Sequence, residues 1–254
     1  MKITITKNEK EFNSIAAWRI IAQMLEKHNS VIGLSTGQTT IDMHHIVSEI
    51  FTEHPFDVSG ITLFNVDELI NIPREYQGSC YNRILDQIAG PLGITGENFI
   101  MPPALSGDFE WECLLFEQRL AERGGADLQM LGIGTDGHVG INPPGTPFER
   151  ETWVTPLRAE LEQRIREEIP ISPETLPGGI TRGIKNIMNT RRVILIAKGA
   201  HKAEIIKQAV LGPVTTNVPA SVLQLHPNCE ILLDADAGAA IAGYAKQREY
   251  NFQG

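Results

Sequence analysis

The sequence has no long apolar run. No stretch approaches the roughly 18 residues that a bilayer-spanning helix needs. The opening residues, Met1-Lys-Ile-Thr-Ile-Thr-Lys-Asn-Glu-Lys10, contain no apolar core of signal-peptide length. Cysteine is scarce: Cys80, Cys113 and Cys229 are far apart, odd in number and form no metal-type pair. That excludes a disulfide scaffold and predicts reduced, structural thiols in a cytoplasmic protein. Positive charge is short as well, with 22 Lys and Arg against 31 Asp and Glu and a net charge of −9. Such a balance argues against nucleic acid or an anionic membrane as a general partner. A small anionic substrate would need a local cluster of donors. His44 and His45 are adjacent, so on a helix they diverge and make a poor metal pair. Internal repeats, low-complexity tracts and linkers are also missing.

What is present reads as a globular α/β chain. With 254 residues, 42% hydrophobic and 21% charged, it can bury one large core. Lys2 to Thr6 alternates like a short strand, and from Glu9 to about Lys27 the apolar residues recur at helical spacing. Apolar runs at Val31–Ser35, Ile61–Val66, Asp127–Ile133, Arg192–Ala197 and Glu230–Asp234 predict buried strands, and Asn98–Met101 a strand stopped by Pro102-Pro103. Helical stretches are predicted at Ile41–Thr52, Ser79–Ile88, Asp108–Arg123 and His201–Leu211, with a helix-sized apolar turn at Pro219–Leu225. This alternation predicts a three-layer αβα fold with a mostly parallel, Rossmann-like sheet. The expected organisation is a single domain over residues 1–254, with a lid at about 146–185 where charge and proline accumulate.

Three strand ends carry candidate chemistry. After Val31–Leu34 come Ser35-Thr36-Gly37-Gln38-Thr39-Thr40 and a helix, which is how a helix N-terminus is offered to a phosphate, and equally how a plain βα loop with a Thr cap reads. After Ile61–Val66 comes Asp67-Glu68, a position suited to a catalytic carboxylate though more commonly a helix cap or surface turn. After Asp127–Leu131 comes Gly132-Ile-Gly134-Thr-Asp136-Gly-His138. A carboxylate beside an imidazole can orient the ring and raise its basicity, which suits acid–base work near neutrality. Ligands in open α/β sheets bind at such carboxyl ends of strands.

Taken together, Gly33–Thr39, Phe64-Asn-Val-Asp67-Glu68, Gly132–His138 followed by Asn142-x-Pro144-Gly145, Gly199-x-x-Lys202-Ala203 and Leu223-Gln-Leu-His226 resemble the motifs of the glucosamine-6-phosphate deaminase (isomerase) group. That group is a branch of the superfamily that also holds 6-phosphogluconolactonase, and the likeness runs over nearly the whole chain. It implies isomerisation and deamination of an amino-sugar 6-phosphate, glucosamine 6-phosphate or its galacto epimer, with no metal or organic cofactor. It also implies roles. Asp67 would shuttle the proton between C2 and C1, His138 would handle ring opening, and Asp136 would orient His138. Ser35, Thr36, Gly37, Gln38 and Thr39, with Gly132, Gly134 and Lys202, would bind the phosphosugar.

Two departures stand out. Where the group has Asn-Glu-Pro-Gly, this chain has Asn142-Pro143-Pro144-Gly145. In that group the missing glutamate is a second carboxylate on the ring-opening histidine, so either Asp136 acts alone, or another acid such as Glu149 reaches in, or the substrate differs in its anomeric geometry. The phosphate arginine of the lid is also unplaced: Arg164 is the first candidate, with Arg166 and Arg182 as alternatives. Thr152–Thr155 does not match the basic residues of the hexameric relatives' allosteric site, so hexameric allostery is not carried over. Two other readings compete. One is a lactonase acting on a 6-phosphosugar lactone, disfavoured by Ile141-Asn142 after the Asp-Gly-His run. The other is a sugar-phosphate-binding protein weakened by Pro143. A monomer and a homo-oligomer are both compatible with the sequence.

Overall fold

The chain builds two sheets, and their junction sets up the site. The computed structural model describes residues 1–73 and 75–245. In chain order, β1 (Lys2–Ile5) leads to α1 (Glu9–Glu26), and β2 (Val31–Leu34) leads to α2 (Ile41–Glu53). Next, β3 (Thr62–Asn65) passes into β4 (Asp67–Ile70), followed by α3 (Cys80–Ile84), β5 (Phe99–Ile100) and α4 (Phe109–Glu122). After β6 (Leu128–Leu131) come β7 (Trp153–Pro156), α5 (Ala159–Glu168), β8 (Gly178–Thr181) and α6 (Ile184–Met188). The chain closes with β9 (Arg192–Ala197), α7 (Ala203–Leu211), β10 (Cys229–Leu233) and α8 (Ala235–Gly238).

The large sheet has seven strands in the order β1-β10-β9-β6-β2-β3-β5, and every pairing in it is parallel. The three-layer α/β fold expected from the sequence is the one observed. Strand residues divide between two cores with a period of two. Ile194, Ile196 and Leu232 face the core under α1 and α2, with Phe12, Ile20, Met24, Met43 and Val47. Val193, Leu195, Ile231 and Leu233 face the other core, with Ile206, Ala209 and Val210 of α7. Such double burial is why these strands read as unbroken apolar runs. Among the described residues, no helix is long and apolar enough to cross a membrane.

The sequence did not show the small sheet. Strands β4, β8 and β7 pair antiparallel in that order, with Asp67 opposite Thr181 and Ile70 opposite Gly178. Two strands of the 146–185 segment therefore pair directly or through one another with β4, whereas α5 lies between them. Ile165 of α5 is fully buried against Leu69, Ile72, Tyr76 and Leu157. The helix expected over Ser79–Ile88 is shorter than that: α3 ends at Ile84 and Leu85–Ala89 widens into a π turn, with Gly90 N–H reaching back to Leu85 O at 2.8 Å. Part of the reason is a competing bond, since Ser48 Oγ donates to Gln87 O at 2.7 Å.

Candidate active site

The carboxyl ends of four neighbouring strands, β9, β6, β2 and β3, open into one cavity of about 410 Å³. From β2 the chain runs one way to β3, and from β6 the other way to β9, so the cavity lies where the strand order reverses. The β2 loop supplies Ser35 to Thr40, the β3 end Asp67, the β6 loop Gly132 to Thr135 and His138, and the β9 end Lys198, His201 and Lys202. The segment before α5 adds Arg158.

The β2 loop presents donors. Among the described residues, the backbone N–H groups of Thr36, Gly37, Gln38 and Thr39 donate to no protein acceptor. They lie just before α2, whose dipole adds positive potential there. Ser35 Oγ is buried and has no partner, although Ser35 lines the cavity. A buried hydroxyl left unpaired costs about 1–3 kcal/mol, and a ligand in the cavity would relieve that cost. Lys202 Nζ donates to Ile133 O at 2.7 Å, which holds the amine at the cavity wall. Burial lowers its pKa, with Asp136 opposing that shift.

Asp67 lines the same cavity as His138. Its backbone starts β4, so the residue is locked by pairing with Thr181 rather than hanging in a loop. Oδ1 accepts from Asn65 Nδ2 at 3.1 Å and from Cys80 Sγ at 3.5 Å. No donor among the described residues reaches Oδ2. Burial pushes the carboxyl up to about 6, against the two donors on Oδ1. Glu68, its neighbour, faces away from the cavity and accepts from three backbone amides, Leu69 at 2.7 Å, Cys80 at 2.9 Å and Tyr81 at 2.6 Å. Desolvation still lifts its pKa to about 7.

The β6 loop holds His138 and Asp136 as a pair, with Nδ1 2.5 Å from Asp136 Oδ1. Gly137 turns the loop at φ +86°, a region that disfavours side chains, and a Cβ there would press on Val218 at 2.8 Å. Burial raises the Asp136 pKa, but the His138 ring, the His138 N–H and Arg158 outweigh this and hold it below the usual carboxylate range. His138 is held below 6.5 by desolvation, partly offset by Asp136 and reinforced by Arg158 and Lys202. At neutral pH the pair is therefore a carboxylate and a neutral imidazole, with the proton on Nδ1 and the other nitrogen free to take one.

The three arginines considered from sequence do not line the cavity. Arg164 is exposed and lies 3.7 Å from Glu168, one turn along α5. Arg166 is fixed on Glu162 at 2.8 Å and on Thr175 O. Arg182 is buried under Phe64, with its guanidinium bonded to Glu117, Gln129, Thr190 and Asn186. Among the described residues, Arg158 is the arginine that lines the cavity. It caps the start of α5 in an extended conformation, with Nη1 3.6 Å from Asp136 Oδ2. Its sequence signal was weak, because it opens the same charged run as Arg164 and Arg166. Only its position before the helix, rather than on it, separates it from them. Glu149 is exposed and borders a different hollow with Arg150 and Lys185, so it does not replace the glutamate missing at Pro143. Asn142 is structural: its amide donates to Val139 O and Arg182 O and accepts from Trp153 Nε1. Cys80, at the head of α3, was read only as a structural thiol.

Comparison with known proteins adds to this geometry. The family description of glucosamine-6-phosphate isomerases and 6-phosphogluconolactonases matches residues 14–231. A glucosamine-6-phosphate deaminase of Thermoanaerobacter pseudethanolicus is 35% identical over 241 residues, covering 95% of each chain. One from Halothermothrix orenii is 36% identical over 242 residues, covering 95% of this chain and all of its own. Among solved structures, a monomeric glucosamine-6-phosphate deaminase superposes with a TM-score of 0.87 at 28% identity, over 94% of this chain and 100% of that one. A 6-phosphogluconolactonase from Trypanosoma cruzi shares the fold at a TM-score of 0.77 and 17% identity, over 95% of this chain and 97% of its own.

Proposed function

Because the chain belongs to the family of glucosamine-6-phosphate isomerases and 6-phosphogluconolactonases, we propose that it converts glucosamine 6-phosphate and water to fructose 6-phosphate and ammonia. The observation that carries this reading is Asp67. A buried carboxylate with one free oxygen and a pKa near 6 faces the same cavity as His138 and the β2 loop. Lactone hydrolysis moves no proton between carbons, so it does not require a second base beside His138 for a C2-to-C1 transfer. The relatives named as deaminases are also much more similar in sequence than the lactonases that share the fold.

The geometry suits the chemistry in three steps. The 6-phosphate is held by the free N–H groups of residues 36–39, the hydroxyls of Ser35 and Thr39, and Lys202 and Arg158. The neutral His138 nitrogen takes the proton of the anomeric hydroxyl and returns one to the ring oxygen, which opens the ring. Asp136 holds the imidazole in the tautomer this requires and stabilises the imidazolium. Asp67 Oδ2 then removes the C2 proton and delivers it to C1, while O1 gains a proton and the nitrogen gives one up. The resulting ketimine adds water at C2 and expels ammonia, which leaves the ketose. Asp67 is ionised above pH 6, so at neutral pH it is ready to act as the base. Residues 157–177, the part of the 146–185 span between β7 and β8, form the lid that carries Arg158 to the phosphate.

The test is ammonia release from glucosamine 6-phosphate and galactosamine 6-phosphate, coupled to detection of the ketose phosphate. Wild type is expected to turn over the gluco sugar, with Asp67→Asn at least about 10³-fold slower. No release from either sugar, or equal release by wild type and Asp67→Asn, overturns the proposal.

A further inference from the structure

We propose that Cys80 is a positioning residue for the base, its thiol bracing Asp67 Oδ1 on one side and the β2 loop on the other, so that only Oδ2 of Asp67 is left to move protons. This rests on the function proposed above and deepens it at the same site.

The observations are geometric. Cys80 Sγ lies 3.5 Å from Asp67 Oδ1 and 3.1 Å from Thr36 Oγ1, so one buried sulfur touches both the base and the loop beside the unpaired Ser35 hydroxyl. The polarity of these two bonds is fixed. Burial first, and then the charges of Glu68 and Asp67, hold the thiol well above its ordinary range. It therefore keeps its proton, donates it to the carboxylate and accepts from the Thr36 hydroxyl.

The sulfur is itself held in place from behind. Ser79 Oγ caps α3 by accepting from Asn82 N–H at 3.2 Å. Glu68, the residue after the base, takes the N–H groups of Cys80 and Tyr81 onto its two oxygens. The start of α3 is thus tied to β4 one residue from Asp67, which fixes the Cys80 main chain beside the base. A donor on Oδ1 stabilises the ionised form of Asp67 and opposes the burial that raises its pKa. It also stops the carboxylate rotating, which would exchange the tethered oxygen for the free one. Among the described residues, the ionisable groups near Asp67 besides Cys80 are Glu68 on its own strand and, lining the same cavity, His138, Arg158, Lys198, His201 and Lys202. None of these donates to Oδ1.

The test uses Cys80→Ala and Cys80→Ser in the full chain. The Asp67 carboxyl is followed by ¹³C NMR titration, assigned with Asp67→Asn, beside the pH profile of ammonia release. Cys80→Ala is expected to raise the Asp67 midpoint by about 0.5–1 pH unit, because one donor to the charged form is lost. The acid limb of kcat/KM should move with it, and kcat should fall about tenfold as the carboxylate loses its orientation. Cys80→Ser supplies a stronger donor and should titrate below the wild-type midpoint, with kcat recovered. An Ala midpoint that coincides with wild type overturns the proposal. If Cys80→Ala does not fold, the serine variant decides: its stronger donor must lower the midpoint, and an unchanged value overturns the proposal. Should wild type release no ammonia, the function proposed above fails while the NMR titration still judges the thiol.

Discussion

Replacing Gly134 by alanine tests whether the His138–Asp136 pair does its work through position. Gly134 is not at a positive φ, so alanine can adopt the same backbone. Space is what forbids it. A Cβ at 134 would lie 2.0 Å from His138 Cε1, 2.1 Å from Nδ1 and 2.6 Å from Asp136 Oδ1. Carbon atoms settle at about 3.5–4 Å, so the ring must withdraw by about 1.5 Å. The 2.5 Å bond between Nδ1 and Oδ1 cannot survive that shift. Misplacing a reacting group by about 1 Å costs on the order of 10²-fold in rate. The fold should suffer less, because the pair lies on a loop at the cavity rim: about 1 kcal/mol, the low end for overpacking, or a few degrees in Tm. The expected result is therefore a kcat for ammonia release about 100-fold down in a protein that still melts cooperatively. Gly107→Ala, away from the cavity, is the control, since no heavy atom lies within 4 Å of its added carbon. A folded Gly134→Ala enzyme within about threefold of wild-type kcat, or a Gly107→Ala enzyme equally damaged, would refute the reasoning.

Three further outcomes follow from the geometry. The acid limb of kcat/KM should fall near pH 6 rather than near 4: Asp67 is active when ionised, so activity is lost as pH drops below its raised pKa, and a limb at an ordinary carboxylate value would contradict its desolvated placement. Arg158→Ala should raise KM for the phosphosugar about tenfold, the worth of roughly one charge-assisted contact, whereas Arg164→Ala should leave KM within about twofold; steady-state kinetics on both variants check this. Far from the site, Glu230 is buried and bonded to Arg19 at 3.0 Å, Arg192 at 3.1 Å and Thr4 at 3.0 Å. Burial raises its pKa, but the Arg19 bonds prevail and hold it at about 2, so the ion pairs contribute stability above pH 4.5 that is lost as pH falls toward 2. Glu230→Gln should cost about 2–4 kcal/mol in urea unfolding at pH 7, and the gap to wild type should shrink steadily between pH 4.5 and 2; a gap independent of pH would sink the assignment.

The large sheet was legible because its strands are buried on both faces and leave a local mark, an apolar run closed by glycine or a small polar residue. Arg192–Ala197 was placed to the residue for that reason. The small sheet left no comparable mark. Val66 separates β3 from β4, yet Leu63 to Ile70 reads as one apolar stretch broken only by Asn65 and the Asp67-Glu68 pair. What makes β4 a strand is β8, more than a hundred residues later, and β8 itself is Gly178-Gly-Ile-Thr181. Its two glycines are demanded by neighbours, since a Cβ on Gly179 would meet Ile141 Cδ1 at 2.5 Å. In sequence they read as part of a polar flap. Pairing at such separation is invisible to any argument built on local spacing.

The candidate site was legible in the same uneven way. Ser35 to Thr39, Asp67, Asp136, His138 and Lys202 sit at strand ends, where the fold presents side chains to a ligand whatever the chemistry, and all but Asp136 are recorded on the cavity wall. Arg158 reaches that wall from a helix start instead, so no strand pattern could indicate it. Its position bears on the proline at 143. A second carboxylate beside His138 would raise the basicity of the ring; this chain has lost that charge and set a guanidinium against the one remaining carboxylate. Both changes act in the same direction, holding the imidazole neutral and making its protonated form a stronger acid. In the proposed reaction such a histidine donates readily to the ring oxygen but draws weakly on the anomeric hydroxyl. A phosphate dianion that recruits Arg158 would release Asp136 from it and return basicity to the ring. Ring opening would then be favoured only once the 6-phosphate is in place, which ties chemistry at one end of the sugar to recognition at the other.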